Sequence, residues 1–166
     1  MGVEAFGVSM HFVKPRVQGS IRELLESCAK IRMRDEERSA DCAVAVGEYF
    51  DDLHLIEFQL LCDLATGTCK LSARISLCSY GTIDSIFVGL VSKILLASPA
   101  EVWLMTSALQ QKPNYAPSEA GMLLTALPKE IEAMRAHWQA LFGKKQGVVR
   151  PDDSFSFVGA VPTRSD

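Results

Sequence analysis

A chain of 166 residues, 48% of them hydrophobic and 22% charged, is long enough for one well-buried domain and excludes a disordered or fibrous protein. Its net charge of -3 argues against nucleic-acid binding through a bulk basic surface. No apolar run reaches the roughly 18–20 residues that span a bilayer, and no basic segment followed by an apolar core marks a secretory leader, so neither is expected.

Residues 3–13 alternate, with Phe6, Val8, Met10 and Phe12 on one face, and predict a first strand that Pro15 ends. Ser20-Ile21-Arg22-Glu23 has the capping-box form, and Ile21, Leu24, Leu25, Cys28 and Ile31 follow at helical spacing. A first helix is therefore expected over 20–33, with the charge run Arg34 to Arg38 as its solvated end and loop. Cys42, Val44, Val46 and Phe50 are the apolar set of a second strand. To keep apolar faces together, this strand should match Val46 with Phe58 and Phe50 with His54, through a three-residue connection at Asp51-Asp52-Leu53. That register leaves Glu48 on the buried side opposite Ile56, where a carboxylate is costly. Such a local conflict marks function or strain.

From His54 to Leu64 the even positions His54, Ile56, Phe58, Leu60, Cys62 and Leu64 form the apolar face, and from Cys69 onward the odd positions Leu71, Ala73, Ile75 and Leu77 do. A four-residue loop, Leu64-Ala65-Thr66-Gly67, keeps the two faces together by pairing Asp63 with Thr68, Cys62 with Cys69, Leu60 with Leu71 and Phe58 with Ala73. It places Gly67 where a left-handed conformation is needed. Thr82 can then cap a helix through its hydroxyl. Ile83, Ile86, Phe87, Leu90, Val91, Ile94 and Leu95 give that helix one broad apolar stripe, ended by Ser98-Pro99. Glu101 to Ser107 reads as a short strand and 108–117 as a loop. Ser118 can cap a short helical turn, and Pro128 suits the first turn of a last helix. Ile131, Met134, Trp138, Leu141 and Phe142 are its stripe and Gly143 its end. Phe155, Phe157, Gly159 and Val161 alternate as a last strand.

The five cysteines, Cys28, Cys42, Cys62, Cys69 and Cys78, show no C-x-x-C spacing. They are expected to be reduced structural thiols of a cytoplasmic protein, with a Cys62–Cys69 disulfide as the alternative. Cys78, on the polar face of its strand and ahead of a helix, is the cysteine to test for reactivity. His11, His54 and His137 lack any metal-ligand spacing, and no serine lies in a nucleophile-elbow context. No cofactor, no metal and no catalytic residue is therefore expected.

Two groups remain as candidate partner-binding residues. Glu48, Asp51, Asp52 and Glu57 gather acidic charge before the central hairpin, and Trp103 and Tyr115 are aromatics beside the long loop. The order of elements implies one α+β domain over 1–166, frayed at 1–2 and 162–166. Its mostly antiparallel sheet should carry about three helices on one face, as a two-layer sandwich. From Ser20 onward the order helix, three-strand meander, helix, strand, helix resembles the class I type III secretion chaperones, with the first strand as a departure.

These features favour a non-enzymatic protein-binding domain, an immunity- or antitoxin-like inhibitor that meets a basic partner through an acidic surface. A secretion-chaperone-like binder, or a small enzyme or ligand-binding domain with a pocket between sheet and helices, is the alternative. A homodimer stays open.

Overall fold

The structure, a computed structural model, describes residues 5–13, 17–51, 53–79, 81–106, 111–143, 148–149 and 155–156. Strands β1 (Ala5–Phe12), β2 (Ile31–Arg38), β3 (Cys42–Phe50), β4 (Leu55–Asp63), β5 (Thr68–Ser76), β6 (Glu101–Thr106) and β7 (Gln111–Tyr115) form a seven-stranded sheet in the order β2-β3-β4-β5-β1-β6-β7. Every neighbouring pair is antiparallel. Helices α1 (Val17–Glu26), α2 (Ile83–Leu95) and α3 (Ala120–Phe142) pack on one face, which makes the fold the α+β two-layer arrangement the pattern implies. A 3-10 turn at Pro117–Glu119 leads into α3, and β8 (Val148–Val149) pairs with β9 (Phe155–Ser156) as a separate ribbon. The remainder of the predicted last strand, Phe157 to Val161, lies outside the described residues, as do 1–2 and 162–166.

The β4–β5 hairpin has the register read from its alternation. Asp63 faces Thr68, Cys62 faces Cys69, Leu60 faces Leu71 and Phe58 faces Ala73. Gly67 takes a φ of 71°, the left-handed conformation that costs glycine least. β1 adds to the far side of β5 and carries the same rows onward, so Phe6 lines up with Ile75 and Ile56, and Met10 with Leu71 and Leu60. All six side chains are at most 2% exposed. Each such side chain contributes about 1.5–3 kcal/mol by leaving water. α2 closes this face with Ile83, Phe87, Leu90, Val91 and Ile94, and Phe87 meets Phe6 edge-on with ring centroids 6.3 Å apart.

The β3–β4 register corrects the reading from sequence. Phe50 faces Leu55, Val46 faces Gln59 and Glu48 faces Glu57. The inner face of β3 is therefore Ala43, Ala45, Gly47 and Tyr49, and Glu48 lies half-buried on the outer face rather than opposite Ile56. Two causes are visible. The connection is four residues long, because the Asp51 carboxylate accepts the amides of Leu53 (3.2 Å) and His54 (2.9 Å) and widens the turn. The inward glycine is also filled from next door: a Cβ at Gly47 would collide with the sulfur of Met33 on β2. Small inner residues hide the true face because Val44, Val46 and Phe50 outrank them in hydrophobicity.

Further corrections concern β2, β7 and α3. The charge run Arg34–Arg38 belongs to strand β2, so α1 ends at Glu26, and Ser20 stands inside that helix instead of capping it. β2 is an edge strand whose exposed residues are charged and whose pairing is broken between Asp35 and Glu37, two devices that discourage edge-to-edge association. Residues 111–115, expected within a loop, form β7 against β6. α3 begins before Pro128, and its buried stripe Leu123, Leu127, Ile131 and Trp138 holds both halves of the helix on the core despite the missing amide. The meander after α1 thus has four strands, not the three on which the chaperone resemblance rests.

Cys62 and Cys69 are joined by a disulfide, the alternative to the thiols expected from sequence, with Cα atoms 4.1 Å apart. Cys28, Cys42 and Cys78 are not disulfide-bonded. Cys78 is buried at 3% exposure, with its sulfur 2.9 Å from the Ser76 hydroxyl, so it is not the accessible thiol its strand position implies.

Candidate functional site

The candidate partner-binding residues divide among three places. Glu48 and Glu57 stand directly opposite each other on the outer face of β3 and β4. Their row continues to Arg32 on one side and Arg74 on the other, and Arg74 reaches Glu57 at 3.7 Å. Trp103 is on the same outer face but on β6, stacked on His11 with ring centroids 6.4 Å apart. Tyr115 shares the row of Val102 on the inner side, beside Leu95 and Leu123 around a small cavity of about 70 Å³. It closes the edge of the core. Asp52 lies outside the described residues. Asp51 turns inward, and it is the member of the acidic group that builds something further.

That structure is a chain of four polar side chains. Tyr49, at the inner end of β3, donates its hydroxyl to Asp51 Oδ2 at 2.8 Å. Asp51 accepts His54 Nδ1, at 2.8 Å to Oδ1 and 3.1 Å to Oδ2, besides the two turn amides. His54, only 7% exposed, places Nε2 2.6 Å from the Thr82 Oγ1. Thr82 stands at the N-terminus of α2, where a capping hydroxyl is expected, but it makes no capping hydrogen bond and is exposed at the surface.

The electrostatics order the protons. Burial pushes the Asp51 carboxyl up, but the hydrogen bonds from Tyr49, His54 and the turn amides outweigh it and hold the group below its ordinary range. The Tyr49 phenol moves the other way, to about 12, through burial and the anion it faces. Tyr49 is therefore a donor and Asp51 an anion. A proton on His54 Nδ1 satisfies Asp51, which leaves Nε2 as acceptor for the Thr82 hydroxyl.

Behind this chain, Arg135 of α3 clamps the first turn of α2. Its guanidinium holds both Asp84 carboxylate oxygens at 2.6 Å and donates through Nε to the Leu77 carbonyl at 3.3 Å. The Asp84 charge, one turn from Thr82, is thereby neutralised by a bidentate pair.

Sequence reasoning places His54 on the buried face and Thr82 at the helix start but does not connect them. They are 28 residues apart, and only the packing of α2 across the sheet's end brings them together. The one available signal is a histidine on an apolar face, which must find polar partners when buried.

Among the described residues no three His, Cys, Asp or Glu side chains are placed to hold a metal ion, and no helix is long and apolar enough to cross a membrane. No known protein family matches the chain, and no curated protein matches it significantly.

Proposed function

We propose that this chain is a protein-binding domain whose outer sheet face receives a cognate partner, as an immunity- or antitoxin-like inhibitor of a protein with a basic surface, acting in the cytoplasm. The observation that supports this is the Glu48–Glu57 pair. Like charges directly opposed across two strands destabilise a sheet unless cations compensate them. Arg32 and Arg74 flank the pair, and a partner's lysine or arginine over its centre adds a further compensating charge. Around the pair, half-buried Val44, Val46 and Phe50 and exposed Leu61 supply the mixture of apolar centre and charged surround that protein interfaces use.

The test is calorimetric binding of the product of the adjacent reading frame, purified separately. Glu48→Gln combined with Glu57→Gln, which removes the acidic charge without opposing two cations, should weaken that binding more than tenfold while the variant still melts cooperatively. If the double variant binds as tightly as wild type, the outer face is not the docking surface. If wild type does not bind, the inhibitor reading fails for that partner.

A further inference from the structure

We infer that Thr82, His54 and Asp51 form a nucleophile, base and orienting-acid constellation that transfers acyl groups from carboxylic esters, an activity separate from partner binding on the outer face. Three observations carry it. The distances are those of an activated hydroxyl: 2.6 Å from Thr82 Oγ1 to His54 Nε2 and 2.8 Å from His54 Nδ1 to Asp51 Oδ1. The partners of the imidazole suit the productive proton order: with a proton on Nδ1 toward the Asp51 carboxylate, Nε2 accepts from the hydroxyl. A hydroxyl that served only to cap α2 would turn to the helix amides, whereas this one turns to the imidazole and belongs to an exposed residue.

The location supplies the remaining element. Thr82 stands at the N-terminus of α2, whose positive dipole end favours a developing oxyanion beside it, while the Asp84 amide is taken by the Gly81 carbonyl at 3.1 Å. The nearest carboxylate on that turn, Asp84, is held by Arg135 and does not oppose the charge.

The reaction balances without a co-reactant other than water. Thr82 Oγ bonds to the ester carbonyl carbon as its proton passes to His54 Nε2, and the carbonyl π pair moves onto oxygen. Collapse restores the carbonyl and breaks the bond to the alcohol oxygen, which departs with the proton from His54. Water then attacks the acyl-threonine, gives its proton to His54, and Thr82 leaves with that proton as the carboxylic acid is released. Thr82 and His54 are the catalytic residues. Asp51 and Tyr49 are positioning residues.

The full chain treated with p-nitrophenyl acetate should release nitrophenol faster than a heat-denatured control, and peptide mass spectrometry should find the acetyl group on Thr82. Thr82→Ala should abolish both signals, whereas Thr82→Ser, which keeps the hydroxyl and removes the hindering methyl, should retain or raise them. His54→Gln and Asp51→Asn should each cut the rate roughly 100-fold or more. Asp51→Asn retains an oxygen for the turn amides and so is the variant that keeps the fold. The inference is overturned if natively folded wild type carries no adduct on Thr82. It is equally overturned if either variant melts cooperatively and still acylates Thr82 at the wild-type rate.

Discussion

The two turns that flank β4 are built on the same local device and have different fates. Each is opened by an aspartate whose Oδ1 accepts the amides two and three residues ahead. Asp63 takes Ala65 (2.9 Å) and Thr66 (3.1 Å), and Asp51 takes Leu53 (3.2 Å) and His54 (2.9 Å). Asp63 is exposed, and its carboxyl is held low chiefly by its bonds to Thr66. It fixes a hairpin and reaches nothing beyond it. Asp51 sits under the end of α2, where the same carboxylate also engages Tyr49 and His54 and, through His54, Thr82. An aspartate in a turn is thus a local element when solvated and a long-range connector when buried, because burial obliges every polar neighbour to find a partner.

The contrast can be broken from its strongest side first. Leu60→Ala, on the face both hairpins share, should cost about 2–5 kcal/mol in chemical denaturation, since Leu60 is 1% exposed and packed in the row of Leu71. Val46→Ala should cost under about 1 kcal/mol, because Val46 faces outward. Equal losses at the two positions would restore the inward register for Val46 and sink the four-residue turn.

The disulfide belongs to the β4–β5 side alone. Thiol titration of the unfolded, unreduced chain should find three reactive groups, Cys28, Cys42 and Cys78, and five after reduction. Loss of a crosslink between residues seven apart should lower stability by roughly 2–3 kcal/mol. Five thiols before reduction would return the hairpin to register and packing alone.

On the other side, Asp51→Ala strands the Tyr49 hydroxyl, the His54 imidazole and two amides, and should cost about 1–3 kcal/mol. Asp63→Ala should cost measurably less, because water replaces its carboxylate. A reversed order would show that Asp51 does no more than hold its turn.

The smallest effects are in pH dependence. The folded Asp51 carboxyl lies below its ordinary 3.8, so the unfolded chain takes up the proton first as pH falls. The contribution of Asp51 is complete above about pH 4 and fades through the folded value, and Asp51→Asn should flatten that acid limb. Tyr49 runs oppositely: its folded phenol titrates at about 12 against an ordinary 10.0, so the unfolded chain loses the proton first as pH rises. Stability should fall between pH 10 and about 12, and Tyr49→Phe should remove that slope, as read by equilibrium unfolding across alkaline buffers.

Much of the fold is legible in the sequence because its signals are local. The β4–β5 register follows from two alternating runs and a loop whose length and glycine agree with them, and the α2 stripe follows from helical spacing. Alternation misplaces β3 because it ranks side chains by hydrophobicity, and the inner face of this strand is built from alanines, a glycine and a tyrosine. It misses β2 because an edge strand with charged exposed positions has no apolar alternation to display. Of the candidate residues, Glu48 stands out in the sequence for a conflict that the true register dissolves, while Asp51 stands out for its place in the acidic connection and His54 as a histidine on an apolar face.

What the sequence by itself determined is therefore whatever chain neighbours decide: the central hairpin, its register, the second helix and the two-layer class. The tertiary structure decided what depends on partners distant along the chain. It chose which face of β3 turns inward, by setting Met33 against Gly47 and widening the turn at Asp51. It also brought the Thr82 hydroxyl to the imidazole of His54, a contact across 28 residues that no local pattern encodes, because hydrogen-bond partners of a buried group are selected by proximity in space.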